Sequence, residues 1–118
     1  MPGRLLNSSV LRWPDRVTVD ASARSWAAAE AKRRPELCRL GYFGSYARGD
    51  WGVGSDLDLV AVVNASERAF ENRAAAFDLS RLPVPAELLV YTRSEWSDFA
   101  RAGTRFARML QRETVWLV

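Results

Sequence analysis

The chain has 118 residues, 17 Lys or Arg against 14 Asp or Glu, and no histidine. That length fits one domain around a single core, and the 48% hydrophobic and 26% charged shares are ordinary for a globular protein. The missing histidine excludes Ser-His and Cys-His nucleophilic catalysis, histidine general bases and the usual zinc sites, so any catalysis must run on carboxylates, Arg, Lys, hydroxyls or bound metal.

The net charge of +3 is mild. With no basic-aromatic stripe beside it, nucleic acid is not an expected partner. Lys32 is the only lysine among the basic residues, a skew that bidentate phosphate binding and a GC-rich coding bias both explain. No apolar run approaches the roughly 18 residues needed to cross a bilayer. The stretch MPGRLLNSSVLRWPDR lacks the apolar core of a secretory signal. Cys38 is the only cysteine, which leaves no intramolecular disulfide and makes the cytoplasm the natural compartment.

Residues 1–19 show no clean period; Pro2, Gly3 and Pro14 indicate a partly irregular lead-in, with a strand around Arg16–Val19. Asp20 or Ser22 can cap a helix of roughly residues 21–34, which Pro35 closes. Leu37–Phe43 is a strand that Gly44 breaks, and Gly44-Ser45 opens a short helix. Residues 49–55 (GDWGVGS) hold three glycines and form a loop. Asp56–Val63 is the central strand, buried through its LVAVV run. Asn64 followed by Glu67 is a capping-box pattern for a helix reaching about Ser80, with Phe70, Ala74 and Phe77 on one face.

Pro83 and Pro85 then mark a turn, and Ala86–Tyr91 is a further strand. Thr92 with Glu95 repeats the capping pattern and opens the longest helix, about residues 94–111, with Trp96, Phe99, Gly103, Phe106 and Leu110 as its core-facing stripe. Thr114–Leu117 is a last short strand. Strands alternating with helices predict an α/β or α+β fold: a small mixed sheet flanked by helices, with the site at one sheet edge.

Residues i and i+2 of a strand point to the same side, so Asp56 and Asp58 project together from the mouth of the central strand. Two adjacent carboxylates repel unless cations sit between them, and oxygen-only ligands suit Mg²⁺, which takes one or two carboxylates plus substrate phosphates. The backbone N–H groups of Gly44-Ser45 and the Ser45 hydroxyl can face an anion; a helix-capping role for Ser45 is compatible with this. Arg48 either clamps a triphosphate or is an exposed arginine on a short helix, and Asp50 is solvated in the loop. A phosphate cradle beside a carboxylate pair is the layout of metal-dependent phosphoryl or nucleotidyl transfer.

Trp26, Trp96 and Trp116 fall on predicted elements and read as core. Trp51 folds back from its loop over the core or, alternatively, stacks on a base or touches a partner. Gly52-x-Gly54 lacks a third glycine and precedes the strand, so it is not a dinucleotide-binding turn.

With FGSYARGDWGVGSDLDLVAVV at residues 43–63, the chain resembles the minimal nucleotidyltransferases of the polymerase-beta superfamily. It is most similar to the small MNT-type proteins, antitoxin-like partners of helical HEPN proteins. The order of elements fits from about residue 20 to residue 118, taken as one nucleotidyltransferase domain. The resemblance implies a polymerase-beta-like fold and transfer of a nucleotidyl group, AMP from ATP or another nucleoside triphosphate, to an acceptor hydroxyl, with pyrophosphate released.

It also implies two Mg²⁺ ions held by Asp56, Asp58 and a third carboxylate on the next strand, with Gly44, Ser45 and Arg48 at the nucleotide. The family's third carboxylate is usually Asp, whereas the matching residue here is Glu87. Sharing a strand side with Leu89 and Tyr91, Glu87 points either to the metals or to solvent. A helical partner protein is expected, since the core uses nearly all the sequence, with Trp13 and Trp51 as candidate anchors. The alternative is a catalytically weak or inactive module that binds and neutralises a partner.

Overall fold

The computed structural model describes residues 13–118; the part of the expected lead-in at residues 1–12 lies outside them. Helix α1 spans Arg16–Arg33, and Asp15 caps it by accepting the Thr18 N–H at 2.8 Å. The expected strand around Arg16–Val19 is therefore the first turn of this helix, and neither Asp20 nor Ser22 is its cap. Arg-Val-Thr-Val alternates like a strand, but Val17 is 77% exposed. What the helix buries is Val19, Ala23, Trp26, Ala27 and Glu30, at the three-to-four spacing of one helical face. Asp20 instead accepts the Tyr42 hydroxyl at 2.7 Å, tying α1 to the sheet.

Strands β1 (Leu37–Phe43), β2 (Leu57–Val63), β3 (Ala86–Thr92) and β4 (Val115–Trp116) form one mixed sheet in the order β3-β2-β1-β4. β1 runs antiparallel to β2 and β4, and β2 runs parallel to β3. This is the expected small mixed sheet. The apolar run in β2 is buried on both faces. Leu57, Leu59, Ala61 and Val63 join α1 and Tyr42 in one core layer, and Val60 joins Phe43 and Leu110 in the other.

Parallel β2 and β3 need a connection that returns the length of a strand. The expected helix to Ser80 does not supply it. There is one turn, α2 at Ser45–Arg48, after β1, and one turn, α3 at Phe70–Arg73, within the crossover, followed by a 3₁₀ turn at Ala74–Ala76. Asn64 opens no helix; its Oδ1 accepts the Cys38 thiol at 3.1 Å. Phe77 is extended (φ −100°, ψ 143°) and buried with Leu82 and Val84 in the α1-side core. Phe70 packs elsewhere, 5.2 Å from Tyr91 between ring centroids, so Phe70 and Phe77 do not share a face.

The expected long C-terminal helix is two helices, α4 (Arg93–Ala102) and α5 (Arg105–Glu113). Gly103 takes a left-handed conformation (φ 63°), and Thr104 caps α5 by accepting the Ala107 N–H at 3.1 Å. The capping box expected at Thr92 and Glu95 forms in full. Both helices cover the second sheet face, where Tyr91, Trp96 and Phe99 pack around Val60 and Leu110. Among the described residues no helix is long and apolar enough to cross a membrane.

Candidate active site

Four chain segments meet at one end of the sheet. Phe43, the last residue of β1, lies opposite Asp58 on β2, and Asp58 lies opposite Glu87 on β3. Directly paired residues point to the same sheet face, so Asp58 and Glu87 stand side by side on the face covered by α4 and α5. The register puts Glu87 on the same sheet face as Asp58, at the exposed rim. Asp56 sits exposed just before β2.

Burial pushes the Asp58 carboxyl up from the usual aspartate range, and the negative charges of Glu87 and Asp56 push it further, while Arg48 pulls it back. Three carboxylates thus share one electrostatic neighbourhood. Among the described residues, however, no three Asp, Glu or Cys side chains close into a ready-made metal cage. Hard oxygen donors that repel one another at the rim fit a cation that completes its shell with water and substrate oxygens, which is how Mg²⁺ is ordinarily held.

Gly44 turns the chain out of β1 at φ 77°, ψ −152°, a region essentially reserved for glycine. A Cβ there would lie 2.2 Å from Asp58 Oδ2, so the Asp58 carboxylate rests directly against the turn. Ser45 begins α2 and is half-buried. Arg48 ends that turn with its side chain 47% exposed, between two acids. Its Nε donates to Asp50 Oδ2 at 3.1 Å and its Nη1 to Glu113 Oε1 at 3.1 Å. Asp50, expected as merely solvated, is thus an exposed partner of Arg48.

Glu113 is the residue that sequence reasoning missed. It is the last residue of α5, and its Oε1 also accepts the Gly44 N–H at 2.9 Å. Its one signal in the sequence is that it is the only acid after Asp98, at the end of a helix otherwise charged by Arg105, Arg108 and Arg112.

The loop between α2 and β2 is folded onto the core. Trp51 stacks on Tyr46 at 5.6 Å with an interplanar angle of 8°, and the Gly52 N–H donates to Ser55 Oγ at 2.8 Å. Trp13 Nε1 donates to the Tyr46 hydroxyl at 2.9 Å. Trp13 and Trp51 are therefore half-buried and packed against the core, as the fold-back reading of Trp51 expects.

Residues 25–117 match the family model of the nucleotidyltransferase domain. The chain belongs to that family, and nucleotidyl transfer is its class of chemistry. Its fold is similar to that of a Sulfolobus solfataricus protein provisionally assigned as a nucleotidyltransferase, with 19% identity, a TM-score of 0.60, and 86% of this chain and 80% of that one covered. It is also similar to a chain of a toxin–antitoxin structure solved with AMP-PNP, with 17% identity, a TM-score of 0.51, and coverage of 80% and 72%. At these identities the likeness is one of fold. No curated protein matches the chain.

Proposed function

We propose that this chain is a Mg²⁺-dependent nucleotidyltransferase of the MNT type that moves AMP from ATP to a hydroxyl of a helical, HEPN-like partner protein. The observation that carries this reading is the register that sets Asp58 beside Glu87 and against the Gly44 turn, with Asp56 two residues upstream. The toxin–antitoxin character of the second fold relative supports a protein as partner. In this reading Asp56, Asp58 and Glu87 would hold the cation, two ions in the two-metal arrangement. Bound Mg²⁺ would supply charge neutralisation on the triphosphate and a lower pKa for the acceptor hydroxyl.

The chain's own groups supply the rest. The Gly44-Ser45 backbone and the Ser45 hydroxyl hold phosphate oxygens, and Arg48 neutralises the triphosphate. The acceptor oxygen bonds to the α-phosphorus as the bond to the bridging oxygen breaks. Pyrophosphate leaves, and the hydroxyl proton passes to Glu87 or to solvent. Positioning dominates such transfers, so the longer Glu87 arm sets where that proton goes.

Incubation with α-labelled ATP, Mg²⁺ and lysate of the native host tests this. Label should pass to a protein band, and Asp56→Ala/Asp58→Ala should abolish both transfer and calorimetric ATP binding. Equal ATP affinity in the wild type and that double variant would sink the reading. One observation favours a second reading, an inactive module that neutralises its partner by binding: Gly44 N–H and Arg48 are already engaged by Glu113. Partner capture with no transferred label would decide for it.

A further inference from the structure

A single carboxylate oxygen, Glu113 Oε1, is bound by the Gly44 N–H at 2.9 Å and by Arg48 Nη1 at 3.1 Å. These donors belong to the turn between β1 and α2, whereas Glu113 lies 69 residues further along. The acid is only 17% exposed, and it is held there from both sides. On one side is the end of α5, where the Thr114 N–H bonds back to the Leu110 carbonyl at 3.2 Å. On the other, β4 pairs Val115 with Tyr42 and Trp116 with Gly41 along the edge of β1. An oxygen anion resting on a main-chain N–H and a guanidinium is the arrangement a phosphate oxygen adopts on the same donors.

We infer that the Glu113 carboxylate is a built-in stand-in for a nucleotide phosphate, so that a triphosphate enters this site only by exchanging with it. The inference rests on the assignment of Gly44, Ser45 and Arg48 to phosphate binding made above. Its physical basis is simple competition. Both donors are already satisfied within the chain, so a ligand gains only the difference between its own hydrogen bonds and those it displaces. Exchange must also release the end of α5, which couples occupancy of the turn to the α5–β4 segment. Glu113 on this account is a positioning residue that sets triphosphate affinity and touches no reacting atom.

The test is calorimetry with inorganic tripolyphosphate and with ATP, each with Mg²⁺, on the wild type, Glu113→Gln and Glu113→Ala. Gln keeps the shape and one acceptor but loses the charge, and Ala removes the competitor. Affinity for both ligands should rise, roughly tenfold for Ala, with Gln between, while adenosine binding stays unchanged. Arg48→Ala should cancel most of the gain. A residue that only braced the turn would weaken binding on removal, and Gln covers the case in which Ala fails to fold. Unchanged or weaker tripolyphosphate binding in both variants, with ATP still bound through Asp56 and Asp58, overturns this inference alone. If no protein in the series binds either ligand, the inference and the nucleotidyltransferase reading fall together.

Discussion

At Gly44 two constraints exclude any side chain: a backbone conformation closed to other residues, and a carboxylate oxygen 2.2 Å from where a Cβ would stand. Gly44→Ala is expected to cost about 1–3 kcal/mol of stability and to abolish ATP binding by displacing Asp58. Urea unfolding and calorimetry on the same samples check both effects, and a variant as stable as the wild type would mean that the turn is not built this way. Asp58 carries the opposite signature. Burial and two like charges disfavour its ionised form, so Asp58→Asn should raise the melting temperature of the metal-free protein while ending catalysis. A drop in melting temperature would remove the proposed electrostatic strain.

The residues of the proposed site were unevenly legible. Gly44, Ser45, Asp56 and Asp58 could be read because they lie within 15 residues of one another, on a turn and a strand whose periods are local. Glu87 required only the register of neighbouring strands. Glu113 could not be read, because its role comes from a tertiary contact that no local spacing encodes.

Caps guided the elements no better than apolar stripes: of those expected at Asp20 or Ser22, at Asn64 and at Thr92, only the last is in place. The Thr92–Glu95 capping box formed, and it is reinforced from outside: Arg73, 8% exposed, donates to both Glu95 oxygens and to the Val90 carbonyl. The equally good Asn64–Glu67 pattern formed nothing, because the crossover has to travel back along the sheet and gains more by burying Phe77, Leu82 and Val84 in extended chain. The stripe through residues 94–111 likewise ignores a helix break, although Gly-Thr, a left-handed stop followed by an N-cap, is a readable signal for one.

Two measurements follow at this scale. In a continuous helix, Gly103→Ala would stabilise, since Gly costs up to about 1 kcal/mol there; at the observed φ of 63° it should instead destabilise by about 1 kcal/mol. The sign of the shift in urea midpoint decides. The Arg73 hydrogen bond holds the Glu95 carboxyl below its usual range. A depressed folded-state pKa contributes stability above the unfolded value, near 4.3, and loses it as pH falls through the folded value. Urea midpoints of wild type and Glu95→Gln should therefore differ at neutral pH and converge on acidification. A gap that stays constant with pH would mean the charge is irrelevant.

For the whole molecule, the mixed sheet was legible from the alternation of elements, and so was the folding of the Trp51 loop back over the core. Trp51 lies on Tyr46, which in turn accepts the Trp13 indole N–H. Trp51→Ala should therefore lower the melting temperature by loosening the loop that delivers Asp56. If a captured partner is instead lost at unchanged stability, Trp51 is an interface anchor after all.

The convergence of residues 44, 58, 87 and 113 on one end of the sheet also has a kinetic consequence. Those residues come from four separate stretches, and β2–β3 is a parallel pairing whose closure waits on a long crossover, the slow kind of contact to form. No contiguous fragment can assemble the proposed site. In refolding from denaturant, helical signal should return early, while ATP-binding capacity should return only with the last resolved phase.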